Sequence, residues 1–328
     1  MTTSLERPRQ LASDPSLQRF DSVEGLLPHL DNPTPLVRLR RVIPPEVDAF
    51  LKLEWFNPFG SIKDRAAAYL LDGLRQRGQL AGRRLVEASS GNTAIALAAL
   101  AALEGIGVII TIPDGVPDEK KVLLRMLGAE VWPTPDDLCP VDSPRDGAIA
   151  LARSIVESAG GDAYVWPDQY SNPDNVRAHY ETTGPEVWRQ TQGQVRTLVA
   201  GLGTSGTLSG AGRYLKEQDP SIRIVAVEPQ PGHRLPGLKS LGEAKAPAIL
   251  DWSVIDQVVR VDDEPAYYMT KRLFREEALM VGPSTGAVVD AIAQLDDPGL
   301  TVGISPDSGL KYTSFFAEML GEEGKPNV

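Results

Sequence analysis

Strand-like and helix-like segments alternate along this sequence, and at three places a polar turn of glycine and hydroxyl residues makes the switch. The run Ala49–Glu54 leads through Asn57-Pro58-Phe59-Gly60-Ser61 into a helical pattern over Lys63–Arg77. Arg84–Ala88 leads through Ser89-Ser90-Gly91-Asn92 into the apolar helix Thr93–Leu103, and Thr197–Leu202 leads through Gly203-Thr204-Ser205-Gly206 into Thr207–Lys216. Further strands are expected at Val108–Ile112, Glu130–Trp132, Ala163–Trp166 and Ile222–Glu228, and further helices at Asp118–Leu127, Ala148–Ala159 and Arg177–Gln190. A chain that repeats strand and helix this way builds mostly parallel sheets with helices on both faces. Its 328 residues allow two such units. The expectation is an α/β protein of two domains, 1–172 and 173–328, meeting at a cleft, with residues 1–45 free to pack on the other domain. Residues 133–146 are rich in Pro and Asp and read as a loop, either a lid or a surface insertion.

Charge narrows the function. With 44 acidic against 33 basic residues the net charge is −11, so the surface field opposes nucleic acid and anionic membranes. An anion site must then be a local exception, and a basic residue in a cleft is informative. The single cysteine, Cys139, excludes an intrachain disulfide and fits a reducing compartment. His29, His179 and His233 show no metal-ligand spacing. The N-terminus lacks a basic segment followed by an apolar run, and the stretch Ala94–Leu103 is too short for a bilayer. A cytoplasmic enzyme acting on small molecules is expected.

Gly201-Leu202-Gly203-Thr204-Ser205-Gly206 matches the G-x-G-x-x-G of dinucleotide-binding folds, and Glu228 closes the next strand near the spacing of a ribose-binding acid. Independently of that match, converging N–H groups and a helix N-terminus make the loop a phosphate receptor, with Thr204, Ser205 and Thr207 adding hydroxyls. A tight turn is the plainer alternative. Lys63 stands where a helix begins, behind a Gly-Ser turn. The positive helix end and neighbouring Arg65 are expected to disfavour its ammonium form, as a nucleophilic lysine requires. Asp64 and Arg65 are expected to brace the turn. The turn Ser89–Thr93 suits either a small anion such as a carboxylate or a serine cap on a buried helix. Gly282-Pro283-Ser284-Thr285-Gly286 by itself is a turn before a helix.

Taken together, DNPTPLVRL, NPFGSIKDR, EASSGNT, LRMLGAEV, QYSNPDN, TTGPEVW, AGLGTSGTLSG and VGPSTGA, in this order, resemble the fold-type II pyridoxal phosphate (PLP) enzymes of the cysteine synthase and cystathionine β-synthase group. The likeness runs from about Thr34 onward. It implies PLP in the cleft between the domains, a homodimer, and β-replacement on an activated serine. By that resemblance Lys63 would hold the cofactor as a Schiff base and move protons at the substrate. Gly203, Thr204, Ser205, Gly206 and Thr207 would bind its phosphate, Asn92 its phenolic oxygen, and Ser284 its ring nitrogen. Ser89, Ser90, Gly91, Thr93 and Gln169 would receive the substrate carboxylate. A neutral hydroxyl at the ring nitrogen makes a poor electron sink, which favours prompt loss of a β-substituent.

The resemblance also directs attention to the segment after Glu228-Pro229, where Lys239 or Arg234 would face the leaving group and favour O-phosphoserine over O-acetylserine. The nucleophile would be sulfide or a thiol donor, and the product cysteine. A cystathionine β-synthase-type condensation, a serine/threonine dehydratase and, from another class, an NAD-dependent oxidoreductase are the alternatives. Pro283 departs from the small or β-branched residue usual before Ser284 and would tilt that hydroxyl.

Overall fold

The computed structural model describes residues 19–136, 147–158, 163–296 and 299–323. Residues 137–146, including Cys139, lie outside the described residues, so the proposed lid or insertion is left with only its first positions, of which 133 and 134 close a strand.

In chain order the elements are β1 (Leu36–Arg38), β2 (Ala49–Leu53), α1 (Lys63–Gln76), β3 (Arg84–Ala88), α2 (Asn92–Leu103), β4 (Val108–Pro113), α3 (Asp118–Met126), β5 (Glu130–Thr134), α4 (Ala148–Ser158), β6 (Tyr164–Val165), α5 (Asp174–Ala178), α6 (Gly184–Gln190), β7 (Thr197–Gly201), α7 (Gly206–Gln218), β8 (Arg223–Pro229), β9 (Gln257–Val261), α8 (Asp263–Glu276), α9 (Pro283–Ala293), β10 (Thr301–Ser305) and α10 (Thr313–Glu323). Two sheets result. One has the order β5-β4-β3-β6 and is parallel throughout. The other has the order β1-β2-β10-β7-β8-β9 and is parallel except for the β1–β2 pair at its edge. Strands β4 and β8 are buried almost end to end, as strands covered on both faces must be. Helix α2 is apolar on every side and buried from Thr93 to Ala101, which places it between layers.

The sheets do not follow the order of the chain. β2 pairs with β10 in register Ala49↔Thr301 to Leu53↔Ser305, so the N-terminal crossing to the second sheet extends to Leu53, past residue 45. The chain therefore leaves the six-stranded sheet immediately before Lys63. Consequently the turns before α1, α2 and α7, and the segments after β8 and β10, all follow the carboxyl ends of parallel strands. That edge is where open α/β sheets bind ligands.

One expected helix is three elements. Between α5 and α6 the segment His179–Thr183 forms a π-turn. Pro185 near the start of α6 has no N–H to give, so the regular ladder cannot run through it.

Candidate active site

Lys63 is the first residue of α1, half-buried, and its Nζ lies 3.3 Å from Thr204 Oγ1 in the glycine loop of the other sheet. Burial lowers its pKa from 10.5 to about 8, against the opposing pull of Asp307. Arg65 is not the cause, contrary to expectation. Its guanidinium points into a closed cluster, donating to Glu54 at 2.7 Å and to Glu186 at 2.6 Å, while Lys52 pairs with Glu186 at 2.7 Å. These two cations and two acids are all but solvent-free, and their charges balance. The cluster ties β2, α1 and α6 together directly behind Lys63. Asp64 braces the turn as expected, accepting from the Phe59 N–H at 2.6 Å and from Ser61 Oγ at 3.3 Å. Burial raises its carboxyl to about 7.

The glycine loop is a cradle. Ser205 takes the left-handed conformation, φ 69°, as it opens α7. A Cβ at Gly203 would lie 2.8 Å from the Gly237 carbonyl, and one at Gly206 would lie 2.1 Å from Asn175 Oδ1. The Ser205 hydroxyl is buried with no hydrogen-bond partner, and the Thr207 hydroxyl stands 3.4 Å from His179 Nε2. Burial lowers the pKa of His179 to about 3, so the ring is neutral. An unpaired buried hydroxyl beside a helix N-terminus fits a bound phosphate. Glu228 does not face this loop as a ribose acid would. It accepts from the Leu241 N–H at 2.8 Å and lies 3.4 Å from Arg260.

Across the cleft, Ser89 Oγ accepts from the Gly91 and Ala94 N–H groups, both at 3.2 Å, so this hydroxyl ties the turn to α2. Thr93 donates to Gln169, whose amide donates to the Ala88 carbonyl at 3.2 Å. Asn175 donates to the Gln169 carbonyl at 2.7 Å and to Thr204 at 3.1 Å, linking this turn to the glycine loop. Asn92 gives its amide to Asp307 at 2.6 Å. Ser284 is buried in the first turn of α9, and Pro283 takes the first helical position, where proline's fixed φ is favourable.

These groups bound two adjoining cavities. The first is lined by Lys63, Asn92, Gly203, Thr204, Ser205, Thr207, Ser284 and Asp307. The second is lined by the turn Ser89–Thr93 with Gln169, Tyr170, Lys120 and Lys239. Lys63, Asn92, Gly203 and Thr204 belong to both walls. Arg234 is elsewhere: it pairs with Glu318 on α10 at 2.9 Å, outside both cavities. Sequence reasoning missed Asp307, Lys311 and Tyr312, carried by the turn after β10, and Lys120 on α3. The motif Pro306–Tyr312 carries Asp, Lys and Tyr close together, and that density was the available signal. Among the described residues no group of His, Cys, Asp and Glu could hold a metal ion, and no helix is long and apolar enough to cross a membrane.

Residues 28–303 match the family model described as pyridoxal-phosphate dependent enzyme. A cysteine synthase of Aquifex aeolicus (strain VF5) is 39% identical over 300 residues, covering 87% of this chain and 90% of that protein. The chain belongs to the pyridoxal-phosphate-dependent cysteine synthase family. Cysteine synthase B of Pseudomonas aeruginosa is also 39% identical, over 86% of this chain and 93% of its own. The crystal structure of an O-ureido-L-serine synthase superposes with TM-score 0.82 at 32% identity, covering 94% of this chain and 97% of that one. The two-sheet architecture is that of fold-type II PLP enzymes, and PLP is this family's cofactor.

Proposed function

We propose that this enzyme replaces the β-substituent of an O-activated L-serine with sulfide or a thiol, yielding L-cysteine, and that O-phosphoserine is its preferred substrate over O-acetylserine. The observation that carries the reading is the junction of the two cavities at Lys63. One side offers a phosphate cradle and a buried serine; the other offers a carboxylate turn and further cations. Two domains, one built on each sheet and meeting at that junction, are part of the proposal.

Gly203 to Thr207 would hold the cofactor phosphate through loop N–H groups and hydroxyls. Asn92 would donate to the phenolic oxygen and Ser284 would meet the ring nitrogen. When bound, PLP supplies an electrophilic aldehyde carbon and an electron-withdrawing ring. Lys63, whose amine burial shifts toward the neutral form, would hold the cofactor and would take and return the proton at the substrate α-carbon. The Ser89–Thr93 turn and Gln169 orient the carboxylate, fixing which face of the amino acid meets Lys63.

Preference for a phosphate leaving group rests on Lys239. It lines the substrate cavity with Nζ 4.7 Å from the Tyr170 ring centroid. The cysteine synthase relatives support the product; the likeness to an O-ureido-L-serine synthase supports the same serine half-reaction with a different nucleophile. A homodimer in the cytoplasm is part of the proposal.

Turnover with phosphoserine, acetylserine and serine, each with sulfide or homocysteine, tests the whole reading. Phosphoserine with sulfide should give the highest kcat/KM, and Lys239→Ala should lower the phosphoserine-to-acetylserine ratio. An unchanged ratio removes Lys239 from the account. Efficient condensation of serine with homocysteine would make the enzyme a cystathionine synthase instead.

A further inference from the structure

The substrate cavity carries more positive charge than one leaving group requires. Among the described residues three lysines line it, Lys63, Lys120 and Lys239, and no aspartate or glutamate does, in a chain whose net charge is −11. Lys120 is half-buried in the first turn of α3, a helix whose other polar residues mostly face water. Its neighbour Lys121 is also buried, but pairs with Asp114 and Asp118 at 3.3 and 3.5 Å. Lys120 makes no ion pair among the described residues. Its Nζ instead lies 4.9 Å from the Tyr312 ring centroid and 3.7 Å from the position a Cβ would take on Gly91. Gly91 is the centre of the Ser89–Thr93 turn. Aromatic packing thus holds an ammonium against the turn that the proposed function assigns to the substrate carboxylate.

Asp307 lines the neighbouring cavity, where Asn92 and Tyr312 both donate to its Oδ2. Lys311 is engaged by the Phe59 carbonyl and Asn92, both at 3.0 Å. Neither side chain takes Lys120 away from the turn. Lys239 lines the same cavity with its Nζ over the Tyr170 ring rather than against Gly91.

We propose that Lys120 is a recognition cation for the α-carboxylate of the amino-acid substrate, acting opposite the turn's N–H groups, while Lys239 serves the leaving-group end. This rests on the reading of Ser89–Thr93 as the carboxylate receptor, and the variants below separate the two. A charge-assisted hydrogen bond of ordinary strength corresponds to roughly a tenfold effect or more on binding.

The test is a spectral titration of the holoenzyme, following the visible cofactor band, with L-phosphoserine, O-acetyl-L-serine and L-serinamide, whose carboxylate is replaced by an amide. Lys120→Met is expected to raise Kd for both carboxylates about tenfold and by the same factor, to leave serinamide unchanged, and to leave the cofactor content at wild-type level. Lys120→Arg should restore most of the loss. Equal weakening of serinamide would overturn the proposal in favour of a structural role through Tyr312. Selective weakening of phosphoserine would overturn it in favour of a leaving-group contact. In parallel, Thr93→Val should also discriminate carboxylate from amide. If Thr93→Val does so and Lys120→Met does not, the proposal for Lys120 fails alone; if neither does, the carboxylate reading of the turn fails and the proposal with it.

Discussion

Asn92 and Asp307, from opposite sheets, meet at 2.6 Å, and Lys311 donates to the other end of the same amide at 3.0 Å. Asn92 is thereby held at both ends. Asp307 also raises the pKa of Lys63, which burial lowers to about 8. Asp307→Ala should therefore do two separable things. Cofactor affinity of the apoenzyme should fall roughly tenfold, the scale of one charge-assisted hydrogen bond. In addition, the rate at which apoenzyme captures the aldehyde, which in wild type rises with pH and levels off near 8, should level off at lower pH. Stopped-flow absorbance across a pH series measures both.

The glycine loop has no room for a methyl group at Gly206. A Cβ on Gly206 would lie 2.1 Å from Asn175 Oδ1, and Asn175 is the link between Thr204 and the Gln169 carbonyl. Gly206→Ala is expected to weaken cofactor binding at least tenfold while the fold survives, because the strain falls on one loop. Retained pyridoxal after dialysis, read from absorbance, checks this against an unchanged far-UV spectrum.

The buried cluster behind Lys63 sets up a stability contrast. Glu186→Gln leaves Lys52 and Arg65 sharing one acid, Glu54, in a solvent-free site. Breaking such a cluster costs about 3–5 kcal/mol. The exposed pair Arg213–Glu217 at 3.1 Å gives the comparison, since Glu217→Gln should cost no more than about 1 kcal/mol. Chemical denaturation of the two variants should separate them clearly.

Asp64 titrates near neutrality, its carboxyl raised by burial from 3.8 to about 7. Between those values the folded protein keeps a proton that the unfolded chain has released, so this residue makes stability fall as pH rises from about 4 to 7. The full effect is of order 4 kcal/mol. Relative to Asp64→Asn, wild type should lose stability steadily across that window and no further above it. Melting temperatures of both proteins from pH 4 to 8 test the slope and its sign.

Much of what lines the two cavities is legible in the sequence because the elements that carry it are local. Lys63, the Ser89–Thr93 turn and the Gly203–Thr207 loop each sit between a strand and a helix, and hydropathy period and turn residues reveal that arrangement directly. What escaped depends on distance. Asp307, Tyr312 and Lys120 reach the site from β10 and α3, and only sheet pairing shows that β10 lies beside β2. Strand β1, three residues long, carries too little pattern to be seen. Arg65 stands close to Lys63 in sequence, whereas its partners in space are Glu54 and Glu186. Arg234 and Lys239 are both candidates in the sequence, yet only Lys239 lines the cavity, while Arg234 pairs with Glu318.

The central claim is that Lys63 is the amine that holds the cofactor. Borohydride reduction of the holoenzyme followed by peptide mass spectrometry should place one pyridoxyl group on the peptide containing Lys63, and Lys63→Ala should carry none. A pyridoxyl group on Lys120 or Lys311, or on no lysine at all, would contradict the account.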